Sequence, residues 1–260
     1  MDLDLNGKVT IVTGGASGIG AAIVLACGRE GGVPVLLDRD TSAIHCLQEK
    51  LRQEEIENDA FSVDLANISD CRRAVEEIAK KFGRIDGLVN NAGVNDGVGL
   101  EHGSPERFTA SLKSNLFHYY AIAHTALPLL KQSQGSIVNI SSKVVFTGQG
   151  GTSGYAAAKG AILACTEEWA AELSQFGVRV NVVVPAEVNT PQYAAWLNKF
   201  ENPNMELQRI SDKVPLHHRM TDPNEVAALV AFLLSPKSSG ISGKALFVDG
   251  GYVHLDRRLT

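Results

Sequence analysis

The 260-residue sequence predicts a single doubly wound α/β domain, a seven-stranded parallel sheet with helices on both faces, on three observations. Short β-branched runs recur between longer stretches of helical character, those runs are apolar throughout, and the first of them feeds a glycine-rich turn that opens a helix. Continuous apolar strands are what a parallel sheet needs, because helices cover both of its faces.

The strand runs are KVTIVT (8–13), VPVLLD (33–38), AFSVDL (60–65), IDGLVN (85–90), GSIVNIS (135–141), VRVNVVV (178–184) and ALFVDG (245–250). Helices are expected over 18–30, 41–55, 67–82, 108–132, 153–176 and 222–235, the last opening on Asp222 and Pro223 as cap and first-turn residues. No linker, low-complexity tract or repeat interrupts the alternation, so residues 1–260 read as one domain. Residues 186–220 stand apart: long, mixed and poor in β-branched residues, they predict a mobile insert beside the site, a substrate lid.

Composition narrows the function classes. A hydrophobic content of 44% is ample for a core, and a net charge of -5 without any lysine/arginine cluster argues against nucleic acid and anionic membrane as partners. Cys27, Cys46, Cys71 and Cys165 lie far apart with no C-x-x-C pair, so neither a disulfide framework nor a zinc site is expected. His217 and His218 are neighbours with no carboxylate at ligand spacing, so no metal is expected. The amino terminus lacks a signal-peptide pattern and no apolar run is long enough to span a bilayer, which predicts a soluble cytoplasmic protein.

Thr13-Gly14-Gly15-Ala16-Ser17-Gly18-Ile19-Gly20 follows the first strand directly. Glycines at such a turn let the backbone approach a pyrophosphate, which then sits on the free N–H groups at the positive end of the next helix. The second strand ends at Asp38, eighteen residues beyond Gly20, where a carboxylate can bind ribose hydroxyls and repel the extra phosphate of NADP. That favours NAD, although the neighbouring Arg39 could attract the same phosphate.

Tyr155 and Lys159 are four residues apart, on one helical face. A free phenol, with a pKa of about 10, is a poor base near neutrality, but a neighbouring ammonium and a nicotinamide cation both favour phenolate. Tyr155 can then take the proton of an alcohol as hydride leaves the same carbon. Taken alone, Y-x-x-x-K is more often an exposed helix pair. Ser142, at the end of the GSIVNIS strand, can hold the substrate oxygen; Asn90 to Gly93 follow the fourth strand at the same edge, and Asn115 sits inside an otherwise continuous helix.

TGGASGIG, Asp64-Leu65, NNAG, Asn115, Ser142, Y-x-x-x-K and a late DGG, in that order over 7–251, resemble the short-chain dehydrogenase/reductase family, with its Rossmann-type fold. The resemblance implies Ser17, Gly18 and Ile19 around the pyrophosphate with Gly14 and Gly20 shaping the turn, Asp38 on the ribose, Asp64 and Leu65 beside adenine, and Asn91, Ala92 and Gly93 along the cofactor. It implies Asn115, Ser142, Tyr155 and Lys159 as a catalytic tetrad, Lys159 also holding the nicotinamide ribose and Asn115 anchoring a relay water. Where the family has Pro-Gly this chain has Pro185-Ala186, with Val188 and Thr190 still expected at the nicotinamide amide. Members usually associate through the two long helices, here 108–132 and 153–176, which implies a homotetramer or dimer.

The expected pocket lining is Asn95, Asp96, Lys143 through Gln149, Glu187, Gln192, Tyr193 and Trp196, a polar set suited to a polyhydroxylated substrate, with Trp196 covering a sugar's apolar face. NNAGVNDG, SSKVVFTGQGGTSGY, VPAEVNTP and FVDGGYVHLDR are similar to the bacterial L-fucose dehydrogenases of that family, which implies oxidation of an anomeric hydroxyl to the lactone. A hydroxysteroid or 3-hydroxyacyl dehydrogenase is the alternative, and an inactive NAD-binding sensor the alternative from another class. Tyr252, His254 and Arg257 in the tail either reach a neighbouring subunit's pocket or fray.

Overall fold

The computed structural model describes residues 2–255. Seven strands, β1 (Val9–Thr13), β2 (Val33–Asp38), β3 (Asp59–Ser62), β4 (Gly87–Asn90), β5 (Ser136–Ile140), β6 (Arg179–Pro185) and β7 (Ala245–Val248), form one sheet in the order β3-β2-β1-β4-β5-β6-β7. All neighbours pair in parallel, with Val12 beside Leu36 and Val89, and Asn90 beside Asn139. One face packs against α1 (Gly18–Arg29), α2 (Thr41–Gln53) and α9 (Pro223–Leu234), giving a core around Val12, Ile23, Leu36, Val138 and Val230. The other packs against α3 (Ile68–Phe82), α5 (His118–Ser133) and α6 (Ser153–Leu173), around Ile11, Val75, Leu88, Ile122 and Ile137. β1, β4 and β5 are buried at every residue, which is why their sequences are uniformly apolar except where a polar side chain has a partner.

The expected fold class holds, with two local differences. The helix expected over 108–132 begins earlier, as α4 (Pro105–Leu112) behind a Ser104 cap, and a π-turn at Lys113–Phe117 separates it from α5. The insert over 186–220 holds two short helices, α7 (Pro191–Leu197) and α8 (Pro203–Ser211), and Val188 bridges to Thr221 at its base. Among the described residues no helix is long and apolar enough to cross a membrane, and no cluster of three or more His, Cys, Asp or Glu side chains can hold a metal.

Candidate active site

Reversal of the strand order between β1 and β4 opens a crevice at the carboxyl ends of the strands. Gly14 leaves β1 with φ +60° and Gly18 opens α1 with φ +53°, the left-handed region that side chains rarely adopt. Gly20 is needed for space, since a Cβ there would run into the Gly14 carbonyl. Ser17 precedes α1 without a side-chain capping bond, whereas Asp40, Asn67, Ser104, Thr190, Asn202 and Asp222 cap their own helices. The first N–H groups of α1, around Ile19, are thus left for a ligand, and the cradle fits a pyrophosphate. Thr190 borders it, its Cγ2 lying 3.3 Å from where a Gly18 Cβ would be.

Asp38 ends β2 at the carboxyl edge of the sheet. Its Oδ2 accepts the Ala16 N–H at 3.1 Å and its Oδ1 accepts that of Asp40 at 3.1 Å, which fixes the carboxylate against the glycine turn. Arg39 is exposed beside it. Asp64 and Leu65 lie just beyond β3, where Asp64 Oδ1 accepts the Ala66 N–H at 3.1 Å. Asn91 holds two turns together. Its Nδ2 donates to the carbonyls of Thr13 (2.9 Å) and Gly14 (3.2 Å), while Thr13 Oγ1 accepts the N–H groups of Asn91 (2.9 Å) and Ala92 (3.1 Å). The side chain staples the β4 turn to the β1 turn, and Thr13 was not among the expected site residues.

The four residues expected to act together do converge. The π-turn carries Asn115 inward, fully buried: its Nδ2 donates to the Ser111 carbonyl at 3.0 Å and its Oδ1 accepts the Val94 N–H at 2.7 Å. A Cβ on Gly93 would lie 3.0 Å from Asn115 Oδ1 and 3.3 Å from Lys159 Nζ, so the glycine lets these two groups share a wall. Ser142 ends the β5 edge in extended conformation, its Oγ accepting the Val144 N–H at 3.4 Å, and its hydroxyl acts to lower the Tyr155 phenol. Lys159 Nζ lies 5.6 Å from the Tyr155 ring centre and donates to the Ile140 carbonyl (2.8 Å) and the Tyr119 hydroxyl (2.9 Å).

Burial dominates the electrostatics. Tyr155 keeps part of its surface exposed, yet desolvation pushes its phenol up to about 12, with only Ser142 acting downward. Lys159 is brought down to about 7 because burial penalises the ammonium and its partners are neutral oxygens. In the free chain burial therefore keeps the Tyr155 phenol protonated near neutrality. His118 Nε2–H donates to the Ala92 carbonyl at 3.3 Å, its Nδ1 is buried without a partner, and burial followed by the Lys159 charge lowers it to about 4.

Pocket-side residues divide into two groups. Lys143 and Glu187 form a buried ion pair, Tyr193 donates its hydroxyl to the other Glu187 oxygen at 2.8 Å, and the Tyr252 ring lies 4.0 Å under the Lys143 ammonium. Trp196 packs edge-on against Tyr193 at 5.3 Å. Asn95, Asp96, Gln149 and Gln192 are exposed. Tyr252 thus meets the lysine of its own chain, His254 packs on Phe247 at 4.5 Å, and Arg257 lies outside the described residues.

Residues 14–253 match the family model described as enoyl-(acyl carrier protein) reductase. The chain is 33% identical over 250 residues to the 3-oxoacyl-(acyl-carrier-protein) reductase FabG of Thermotoga maritima, covering 96% of this chain and 99% of that one. It is 37% identical over 247 residues to L-fucose dehydrogenase of Bos taurus, covering 94% and 89%. Among solved structures, the Cj0485 dehydrogenase superposes with a TM-score of 0.94 at 44% identity over 100% of this chain and 99% of that one. The aldohexose dehydrogenase of Thermoplasma acidophilum superposes with a TM-score of 0.89 at 30% identity over 100% and 99%.

Proposed function

The chain belongs to the short-chain dehydrogenase/reductase family, and from that premise we propose that it oxidises the anomeric hydroxyl of an aldose such as L-fucose to the lactone, with NAD as hydride acceptor. The observation that carries the substrate class is the Lys143–Glu187 pair with Tyr193, set directly beside Ser142. Burying two charges costs more than a hydrophobic lining would, so a pocket for a greasy substrate gains nothing from them, whereas a ring of hydroxyls can use both a donor and an acceptor. The similarity to L-fucose and aldohexose dehydrogenases supports the same reading.

In this reading Ser142 holds the reacting oxygen and the Tyr155 phenolate takes its proton as the C1–H bond breaks and the C=O bond forms. Bound NAD supplies the hydride acceptor, and its pyridinium charge adds to that of Lys159 in favouring phenolate. The backbone around Ser17, Gly18 and Ile19 holds the pyrophosphate and Asp38 the adenosine ribose, with Pro185, Val188 and Thr190 on the nicotinamide side. Asn115 anchors a relay water, and residues 186–220 cover the substrate. The protein is a cytoplasmic homo-oligomer, dimer or tetramer, of a single domain.

A second reading, a 3-hydroxyacyl dehydrogenase, rests on the similarity to FabG. A panel of aldoses, hydroxysteroids and 3-hydroxyacyl thioesters, assayed with NAD and NADP, separates the two. NADH formed with L-fucose or a related aldose is expected; turnover of the thioester with no aldose oxidised would replace the first reading by the second.

A further inference from the structure

Tyr119 is fully buried, lies one helical turn beyond Asn115 and touches the amine on which the proposed chemistry depends. Its hydroxyl accepts from Lys159 Nζ at 2.9 Å and donates to the Ile140 carbonyl at 3.1 Å, while Lys159 donates to that same carbonyl at 2.8 Å. The three groups close a triangle in which every bond of the phenol is used. The chain of hydrogen bonds ends on a peptide carbonyl, which cannot take a proton, so the phenol fixes the ammonium without conducting from it. Gly93 and Asn115 also border Lys159, a Cβ on Gly93 falling 3.3 Å from its Nζ and 3.0 Å from Asn115 Oδ1.

We propose that Tyr119 is a positioning residue: its hydroxyl pins the Lys159 ammonium toward Ile140 and seals the core side, leaving the Asn115 and Gly93 side as the outlet for the proton that Tyr155 takes up. The proposal rests on the assignment of Tyr155 as base. The titratable groups that face Tyr119 are Lys159 and Tyr155 from α6 and His118 from its own helix, whose ring lies edge-on at 4.9 Å. Among the described residues no carboxylate pairs with Lys159, so the Tyr119 oxygen and the Ile140 carbonyl are the acceptors that favour its charged form.

Tyr119→Phe removes one oxygen and keeps the ring. Losing that acceptor weakens the ammonium, which weakens its pull on the Tyr155 proton, so the pH profile of kcat/KM for alcohol oxidation should move to higher pH by about one unit. Turnover below the midpoint then falls about tenfold and converges on the unsubstituted enzyme at high pH. Thermal unfolding and NAD binding, measured alongside, report the fold, and Tyr119→Leu must move the midpoint in the same direction. An unmoved midpoint in the folded variants, or a loss equal at every pH, overturns the proposal. Tyr155→Phe is the separate control: if it retains turnover, the base assignment fails and not the role of Tyr119.

Discussion

The floor of the crevice and its mouth each bury a lysine, and the two are treated in opposite ways. At the floor, Lys159 meets only neutral oxygens, and burial brings it down to about 7. At the mouth, Lys143 meets the Glu187 carboxylate, whose second oxygen is taken by Tyr193. A charge left without a counter-charge stays sensitive to anything that enters, which suits proton chemistry; a compensated pair is a fixed donor and acceptor, which suits recognition. The floor should therefore set rate and pH dependence, and the mouth should set substrate choice.

Five variants, in four tests, break or sharpen that contrast. Tyr155→Phe, at the floor, should cut kcat by about 10²- to 10⁴-fold while NAD binding measured by fluorescence is unchanged. Glu187→Ala strands Lys143 and should cost about 3–5 kcal/mol in denaturant unfolding, with weakened aldose binding. The paired replacement Lys143→Met with Glu187→Leu should recover the stability but not the aldose KM, which separates recognition from folding.

The third concerns His118, which the folded state holds neutral. Its contribution is intact above the unfolded value of 6.5 and is lost as pH falls toward the folded value of about 4. Unfolding of the parent protein should therefore become easier over that window by up to about 3 kcal/mol, whereas His118→Gln, which keeps a donor for the Ala92 carbonyl, should flatten the dependence. The smallest effect is at the cofactor end: Asp38→Ala removes the fixed carboxylate and should raise the kcat/KM ratio of NADP to NAD about tenfold.

Which of these parts was legible in the sequence follows from what enforces them. The glycine turn was, because backbone geometry and space admit no other residue at Gly14, Gly18 and Gly20. Tyr155, Lys159 and Ser142 were, because helix spacing and a strand end bring them together. The π-turn at Lys113–Phe117 was not, since no periodicity distinguishes one inserted residue from a continuing helix. Nor was the partnership of Tyr119 with Lys159, which depends on how α5 rotates after that turn. The helices of the insert did leave a signal: Thr190-Pro191 and Asn202-Pro203 are cap-and-proline pairs of the same kind as Asp222-Pro223. Glu187 and Lys143 were expected at the pocket, but their pairing joins residues 44 positions apart and only the parallel register of β5 and β6 reveals it.

The central claim is that one half-buried phenol becomes the base when an oxidised nicotinamide is present. An ultraviolet difference titration of tyrosinate, run on the parent protein and on Tyr155→Phe with and without NAD, tests it most directly. One tyrosine should ionise well below the value of about 12 it has in the free chain once NAD is bound, and that transition should vanish in the variant. Identical titrations of the two NAD-bound proteins would contradict the claim.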